Sequence, residues 1–501
     1  MLSTFLEVLD TSVVNVSLPH IAGSLSATID EATWVLTSYL VANAIVLPIT
    51  GWLSNQFGRK RLLTVAVMGF TGASFLCGIA PTLPALVIFR ILQGAFGGAL
   101  QPISQAVLLE TFPPDQRGKA MAFWGLGIVV APIIGPTLGG WLTDAYSWRW
   151  VFYINLPIGI ASILMTQMYI FDPSYIKKRA GGVDFWGLGM LAVGIAALQI
   201  TLDKGQEDDW LGSHFIVTLM IIAAVALTAF IIWELYTEHP IVNLRVFKNR
   251  TYATGVMLMT LVGFVLYGSL VLLPLMLQEL LGYTALDAGI WTSPRGIGSL
   301  IFMPITGVLL ARRWDPRRLL SAGLLIASTT MFAFAHFNLL SGTWDIFWPQ
   351  IVQGAAMAFV FVPLTTVTMD PIPNAEMGNA TSLFNLMRNI GASFGISFVS
   401  TFLARREQFH QARLAGDITP TNPISRNLLN TLHGGYFKHG SNTFEATRQA
   451  FAALYGMVQQ QSALLSFVEG FFLMGIIFVC MAPVVYIMRK PRHTAGPISA
   501  H

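Results

Sequence analysis

PITGWL at residues 48–53, followed by GRKRLL at 58–63, returns as PITGVL at 304–309 followed by DPRRLL at 315–320. The offset between the two hexapeptides is 256 residues. An unrelated pair keeps nearly the same spacing: LQGA at 92–95 returns as VQGA at 352–355, 260 residues on. Two independent short matches at one offset indicate a duplicated unit. What is duplicated follows from the apolar runs around the matches. The chain is 54% hydrophobic and 11% charged over 501 residues, with mean hydropathy +0.63, too little polar surface for a water-soluble globule. Runs of about 20 apolar residues, the length needed to cross a bilayer, number fourteen: 2–21, 32–54, 62–80, 84–109, 119–141, 149–171, 185–202, 214–236, 251–280, 284–311, 318–338, 346–372, 379–403 and 461–489.

Each matched pair lies eight segments apart, in the second and tenth and in the fourth and twelfth. The expected architecture is therefore an all-α integral membrane protein of fourteen helices. Residues 1–171 form a six-helix half, 172–250 an inserted region of two helices, and 251–501 a second six-helix half with a long loop at 404–460. Two such halves facing one another form the transporter layout in which substrate binds near the bilayer midplane. No basic region precedes the first run and no small-residue cleavage site follows it, so it reads as a span and not a signal peptide. Cys77 and Cys480 both fall inside spans, which excludes a disulfide framework.

Lysine and arginine set the orientation. With the N-terminus inside, cytoplasmic loops hold eighteen of the 29: Arg59 to Arg61, Arg117, Lys119, Lys177 to Arg179, Arg245, Lys248, Arg250, four from Arg312 to Arg318, and Arg489, Lys490 and Arg492. The outside holds eight, six of them in the long loop, and Arg90, Arg295 and Arg388 lie within spans. This asymmetry predicts both termini in the cytoplasm and 404–460 outside. It also accounts for the basic pI through loops and anionic lipid, with no nucleic-acid partner.

The fifth segment carries GIVVAPIIGPTLGGW at 127–141, with four glycines and two prolines inside an apolar helix. Numbered by fours, Gly127, Ala131, Gly135 and Gly139 form one row, and Pro132, Pro136 and Gly140 the next. Rows of small residues let a neighbouring helix approach closely, and the prolines bend the helix and free carbonyls that neighbours must satisfy. Such a helix suits either plain tight packing or a hinge with a dry, proton-tight face.

Polar residues inside spans mark a pathway, because a charge at mid-bilayer costs at least about 2.5 kcal/mol. The first segment has Ser3, Glu7, Thr11 and Asn15 in one row, with Asp10 beside it. The fourth has Gln93, Gly97, Gln101 and Gln105 beside Arg90, and the thirteenth has Asn385, Asn389, Ser393, Ser397 and Thr401 flanked by Arg388. These stripes are expected to line a water-filled substrate cavity. Glu469, two turns into the last segment, faces either the cavity or the outer interface; Asp287 and Arg295 are similar, and Glu234 is expected to be solvated. In the loop, Asn442 with Glu445 reads as a capping box. Phe451, Leu454, Tyr455 and Val458 then make one apolar face, predicting an amphipathic helix that lies on the membrane or docks a partner.

No GxxxxGK[ST] loop occurs, so the chain has no ATP motor of its own. All nine histidines lie at span ends, in loops or in the tail, so no acid/base constellation at mid-membrane supports an enzyme.

These motifs together resemble the major facilitator superfamily, and within it the fourteen-span drug:proton antiporters of the EmrB/QacA type. LDTSVVNVSLP (9–19) resembles the subfamily's opening signature, GWLSNQFGRKR (51–61) the loop between helices 2 and 3, RILQGAFGGA (90–99) the helix-4 motif, and GPTLGG (135–140) the antiporter motif. WRWVFYINLPIG (148–159) and LDKGQEDDW (202–210) also look like subfamily hallmarks. Two departures stand out: Asn55 where the loop usually has Asp, and Ala122 and Ala131 where the antiporter motif usually has glycine.

The resemblance implies multi-pass residence in the inner (cytoplasmic) membrane and efflux of hydrophobic or amphipathic toxic compounds, powered by the proton gradient without a cofactor or metal. Export of an endogenous metabolite or siderophore is the alternative. It further implies a periplasmic adaptor of EmrA type and an outer-membrane channel of TolC type. For the residues, it implies proton coupling at Asp10, the deeper carboxylate, with Glu7 as a relay, Arg90 as counter-ion and Glu469 in reserve. The substrate cavity is expected at Thr11, Asn15, Gln93, Gln101, Asn385, Arg388 and Asn389, a conformational gate at Gly51, Asn55, Gly58 and Arg59, and the antiporter motif at Gly135, Pro136, Gly139 and Gly140.

Overall fold

A computed structural model describes residues 1–113, 116–172, 184–238, 240–419, 421–439 and 442–490. The basic residues Lys177 to Arg179 and Arg492 lie outside them. Every regular element among the described residues is helical. The N-terminal helices are α1 (Leu2–Ser24), α2 (Ile29–Phe57), α3 (Arg59–Gly78), α4 (Leu83–Gly97), α5 (Leu100–Thr111), α6 (Arg117–Ala145), α7 (Trp150–Tyr153) and α8 (Asn155–Tyr169). Next come α9 (Phe185–Lys204) and α10 (His214–Tyr236). The C-terminal helices are α11 (Arg250–Glu279), α12 (Ala285–Thr292), α13 (Pro294–Ala311), α14 (Pro316–Phe334), α15 (Thr343–Met369), α16 (Met377–Asp417), α17 (Pro423–Lys438) and α18 (Thr443–Val484).

Three predicted segments are broken: α4 from α5 at Gly98, α7 from α8 at Ile154, and α12 from α13 at Ser293 before Pro294. Helix ends follow local chemistry. Thr28 and Glu31 satisfy each other's backbone N–H at 3.2 and 2.8 Å, Asn249 caps α11, and Gly58 turns the chain between α2 and α3 at φ +87°, where a side chain would be strained.

Eleven helical stretches among the described residues are long and apolar enough to cross a membrane. The helices α1, α14 and α16 are not among them. In α1 and α16 the reason is the polar stripes themselves, which lower the hydropathy of helices that are otherwise buried against their neighbours.

The stretch at 404–460 is a correction. It is mostly helical and not an open loop: α16 extends into it as far as Asp417, α17 spans Pro423–Lys438 and packs on α18, and α18 begins at Thr443. Asn442 does cap α18, its side chain accepting from the Glu445 N–H at 2.8 Å. The buried face beyond it is Ala446, Ala450, Leu454 and Val458, whereas Phe451 and Tyr455 are exposed. A spacing of four selects one side of a helix, and Phe451 and Tyr455 fall one residue off that side.

Helices α9 and α10 pack on each other, and α9 bridges α2 and α16. Asp203 accepts from Thr37, Lys204 donates to Thr33 at 2.6 Å, and Gln199 donates to Ser393 at 2.9 Å. Just beyond α9, the Trp210 indole donates to Thr401 at 3.0 Å. Glu234 on α10 is 1% exposed, not solvated as expected.

Candidate functional site

Asp10 and Arg90 are both fully buried and pair at 2.6 Å. The second carboxylate oxygen of Asp10 accepts from Gln93 at 2.8 Å and from Asn155 at 2.6 Å. Arg90 also donates to the Val35 carbonyl at 3.0 Å and to Gln93 at 2.8 Å, and its guanidinium lies 4.1 Å above the Tyr39 ring. Four elements thus converge on one ion pair, the arrangement that makes a buried charge tolerable. Glycine makes it possible: at Gly94 a Cβ would run into the Tyr39 carbonyl.

Three residues along α1, Glu7 has a different environment. One carboxylate oxygen accepts from Asn43 at 2.8 Å, and the other is buried with no hydrogen-bond partner. Gln101 and Arg388 lie close enough to act on it. Arg388 donates to Gln101, which comes from the N-terminal helices, and to Asn389 at 3.3 Å, while its Nε and Nη1 are buried without partners. One turn further, Asn385 donates to Gln105 at 2.5 Å. The residues Glu7, Asn43, Gln101, Gln105, Asn385 and Arg388 therefore form a buried polar layer between the N-terminal and C-terminal helices.

Beyond this layer a cavity of about 1150 Å3 opens between the ends of α1 and α6 on one side and α11 to α13 on the other. Asn15, Ile133, Pro136, Trp141, Tyr267 and Phe361 are among its walls. The two rows of α6 divide the work. Gly135 and Gly139 face α1 so closely that a Cβ would meet Ser12 Cβ at 2.5 Å and the Val13 carbonyl at 2.7 Å, and Ala131 is fully buried. Pro132, Pro136 and Gly140 line the cavity. Pro136 has no N–H for the Pro132 carbonyl, and the Ser12 hydroxyl donates to that carbonyl at 3.4 Å.

The opposite end, which carries the basic loops, is closed by two contacts related by the sequence repeat. A Cβ at Gly51 would lie 2.5 Å from Asn379 Cα, and at Gly307, 256 residues on, one would lie 3.1 Å from Lys119 Cα. Arg117 donates across the same seam to Asn374 at 3.3 Å. Beside it Arg59 is buried against Glu110 at 2.6 Å. Gly58 sits against the Asp172 carboxylate, which accepts from the Lys60 N–H at 2.8 Å, and Asn55 is half-buried. The molecule is closed at the basic end and open at the other.

Gly51→Val is accordingly expected to disfavour this closed seam by about 1–3 kcal/mol of overpacking, shifting the conformational balance about 5- to 160-fold. In a Cys480→Ser background, Asn15→Cys would be labelled by an impermeant maleimide from the cavity side. Adding Gly51→Val should slow that labelling; an unchanged rate would show that the seam does not control the cavity.

Residues 1–396 match the Major Facilitator Superfamily. The chain belongs to the Major Facilitator Superfamily. It is 40% identical over 496 residues to the fatty acid resistance protein FarB of Neisseria gonorrhoeae, covering 99% of this chain and 96% of that one. To the multidrug export protein EmrB of Haemophilus influenzae it is 39% identical over 493 residues, covering 98% and 94%. The human organic anion transporter MFSD10 shares the fold at TM-score 0.60 and 13% identity, with 95% and 97% covered. Membership makes this superfamily chain a transporter and not an enzyme.

In this superfamily member, the sequence-predicted residues separate into distinct places. Asn15 lines the cavity; Thr11 is half-buried beside it, its hydroxyl donating to the Val8 carbonyl at 2.9 Å. Gln93 belongs with Asp10, while Gln101, Asn385, Arg388 and Asn389 belong to the polar layer. Glu469 does not line the cavity: its side chain is one-third exposed, binds Arg406 through both oxygens at 2.5 and 2.6 Å and meets His410 at 3.1 Å, tying α18 to α16. Asp287 accepts from Thr284 at 2.7 Å at the start of α12. Sequence reasoning missed Asn43, Asn155 and Tyr39. Asn155 lies inside WRWVFYINLPIG, so the motif pointed to the residue without revealing its task.

Proposed function

We propose that this protein exports hydrophobic and amphipathic compounds across the inner (cytoplasmic) membrane in exchange for protons, by alternating access. In this reading fourteen spans are arranged as six, two and six, both termini are cytoplasmic, and the halves 1–171 and 251–501 rock about the polar layer while 172–250 straps them together. The open cavity faces the periplasm, because the basic loops belong in the cytoplasm. The relatives named for multidrug export and fatty acid resistance support efflux as the direction of transport. A periplasmic adaptor of EmrA type and an outer-membrane channel of TolC type are the partners proposed.

The observation that carries proton coupling is Glu7. It is 4% exposed, has one oxygen without a partner, and sits in the layer that the two sets of helices share. Asp10 was the carboxylate expected from its depth and motif, but it is held by three donors from two other helices. A coupling group must exchange its proton when the layer opens, and Glu7 has the unsatisfied oxygen to do so. Opening the seam parts Arg388 from Gln101 and gives water access to the unpartnered Glu7 oxygen, so proton exchange follows conformation.

One proton moving through roughly 100 mV supplies about 2.3 kcal/mol, enough for a concentration ratio of roughly 40-fold. Inside-out vesicles carrying the protein and an internal pH dye test the reading. Added hydrophobic compounds should collapse a preformed proton gradient only when the protein is present. Gradients that persist for every compound that demonstrably binds would sink it.

A further inference from the structure

The cavity contains one charge that the fold does not neutralise. Arg295, near the start of α13, is 6% exposed and forms part of the cavity wall. Its Nε donates to Gln350 at 3.0 Å and its Nη2 to Gln353 at 2.7 Å, and its Nη1 is buried with no partner. Among the described residues no carboxylate pairs with it. The sequence repeat shows how unusual this is. Gln350 and Gln353 stand 260 residues after Arg90 and Gln93, and Arg295 stands 256 residues after Tyr39. The backbone relation is preserved, since a Cβ at Gly354 would strike the Arg295 carbonyl as one at Gly94 would strike that of Tyr39.

In the first copy the cation comes from the LQGA helix and Asp10 on α1 neutralises it. In the second copy the cation comes from the neighbouring helix, and α11, the counterpart of α1, has no acidic residue before Glu279. A guanidinium buried without a counter-ion is costly, and an anion that supplied one would bind through a charge-assisted hydrogen bond. Besides the Tyr267 phenol, the other titratable groups on the cavity are His20 and Asp144, 3.8 Å apart and exposed near its rim, so their charges are screened and partly matched to each other. The walls between are apolar: Ile128, Val129, Ile133, Leu266, Leu270 and Phe361.

We propose that Arg295 is the acid-group site of this cavity, so that the protein preferentially takes amphipathic monoanions, a carboxylate joined to an apolar body, with the carboxylate held by the Arg295 charge at the cavity wall. This deepens the efflux reading by naming a substrate class, and it rests on that reading only for the direction of transport. Binding is therefore measured without a gradient, by equilibrium dialysis of 2-naphthoate and 2-naphthamide against the full chain in lipid nanodiscs. The two probes have the same body and differ in charge.

The parent should bind naphthoate about 10- to 100-fold more tightly than naphthamide, the range of a charge-assisted hydrogen bond. Arg295→Gln should remove that preference while still binding naphthamide, and Arg295→Lys should restore part of it. Equal affinities of the parent for both probes would overturn the proposal, even if Arg295→Gln failed to fold. So would an Arg295→Gln protein that kept the preference. If the preference holds while vesicles show no proton-coupled export, the efflux reading fails and the acid site stands.

Discussion

Glu7→Gln is expected to leave the protein folded and able to bind substrate, and to reduce substrate-driven proton movement to the leak rate. Glutamine has nearly the same shape and keeps a carbonyl oxygen for the Asn43 amide, which now donates to Glu7 at 2.8 Å. What it removes is the proton-binding oxygen, the one that has no partner in this conformation. Without a titrating group in the layer between the halves, substrate occupancy and protonation no longer compete, so the exchange loses its thermodynamic link. Proteoliposomes containing a pH dye measure this directly, with substrate binding in the same preparation as the control. Normal proton movement in Glu7→Gln would place the coupling group elsewhere. Asp10 would then be the residue to test, because Glu469 is engaged by Arg406 and His410 far from the layer.

Arg90→Ala is expected to destabilise the protein by about 3–5 kcal/mol, the usual cost of stripping one partner from a buried ion pair. The loss has three parts in this structure: Asp10 keeps its charge with only Gln93 and Asn155 as donors, the Val35 carbonyl loses its side-chain donor, and Tyr39 loses the cation above its ring. Arg90→Lys should recover only part of this, because one ammonium cannot reproduce the fork that reaches Asp10, Gln93 and Val35 together. Asp10→Asn combined with Arg90→Gln should cost less than the sum of the single changes, since neither charge is then left alone. Thermal unfolding in detergent measures all four. If Arg90→Ala costs less than about 1 kcal/mol, the buried pair is not what anchors α1 to its neighbours.

The contrast between Glu7 and Asp10 shows how far the sequence reached. Both carboxylates, three residues apart on one helix, were legible as functional because a charge in an apolar run is costly wherever the helix sits. Their division into a paired anchor and an under-satisfied carboxylate was not legible, because it depends on which helices stand on either side of α1. Arg90 could be matched to Asp10 from motif and depth, but Asn155 and Asn43 arrive from segments whose place around α1 has no local signature. The glycine rows of α6 lay nearer the limit. Their spacing predicted close packing on one side and freed carbonyls on the other, and both follow from helix geometry alone. That α1 is the partner, and that the proline row faces the cavity, required the fold.

The same division holds for the whole chain. Length and apolar runs determined a helical membrane protein, and the repeats at 256 and 260 residues determined that it contains two related halves, because insertion into lipid and gene duplication both leave marks along one dimension. The loop at 404–460 misled for the same reason. Its polar composition resembles a loop, yet α16 and α18 extend into it from either side and α17 fills the middle, because packing of α18 on α16 and α17 stabilises turns that the sequence does not mark as a span. The polar stripes misled in the opposite way. They were expected to face water, but side chains on facing helices satisfy most of them, and only the assembled structure shows that Asn15 and Arg295 meet the cavity while Gln101, Asn385 and Arg388 close it. A hydrogen bond between residues almost 300 positions apart, such as that from Arg388 to Gln101, is decided in three dimensions, by which helix faces approach within reach.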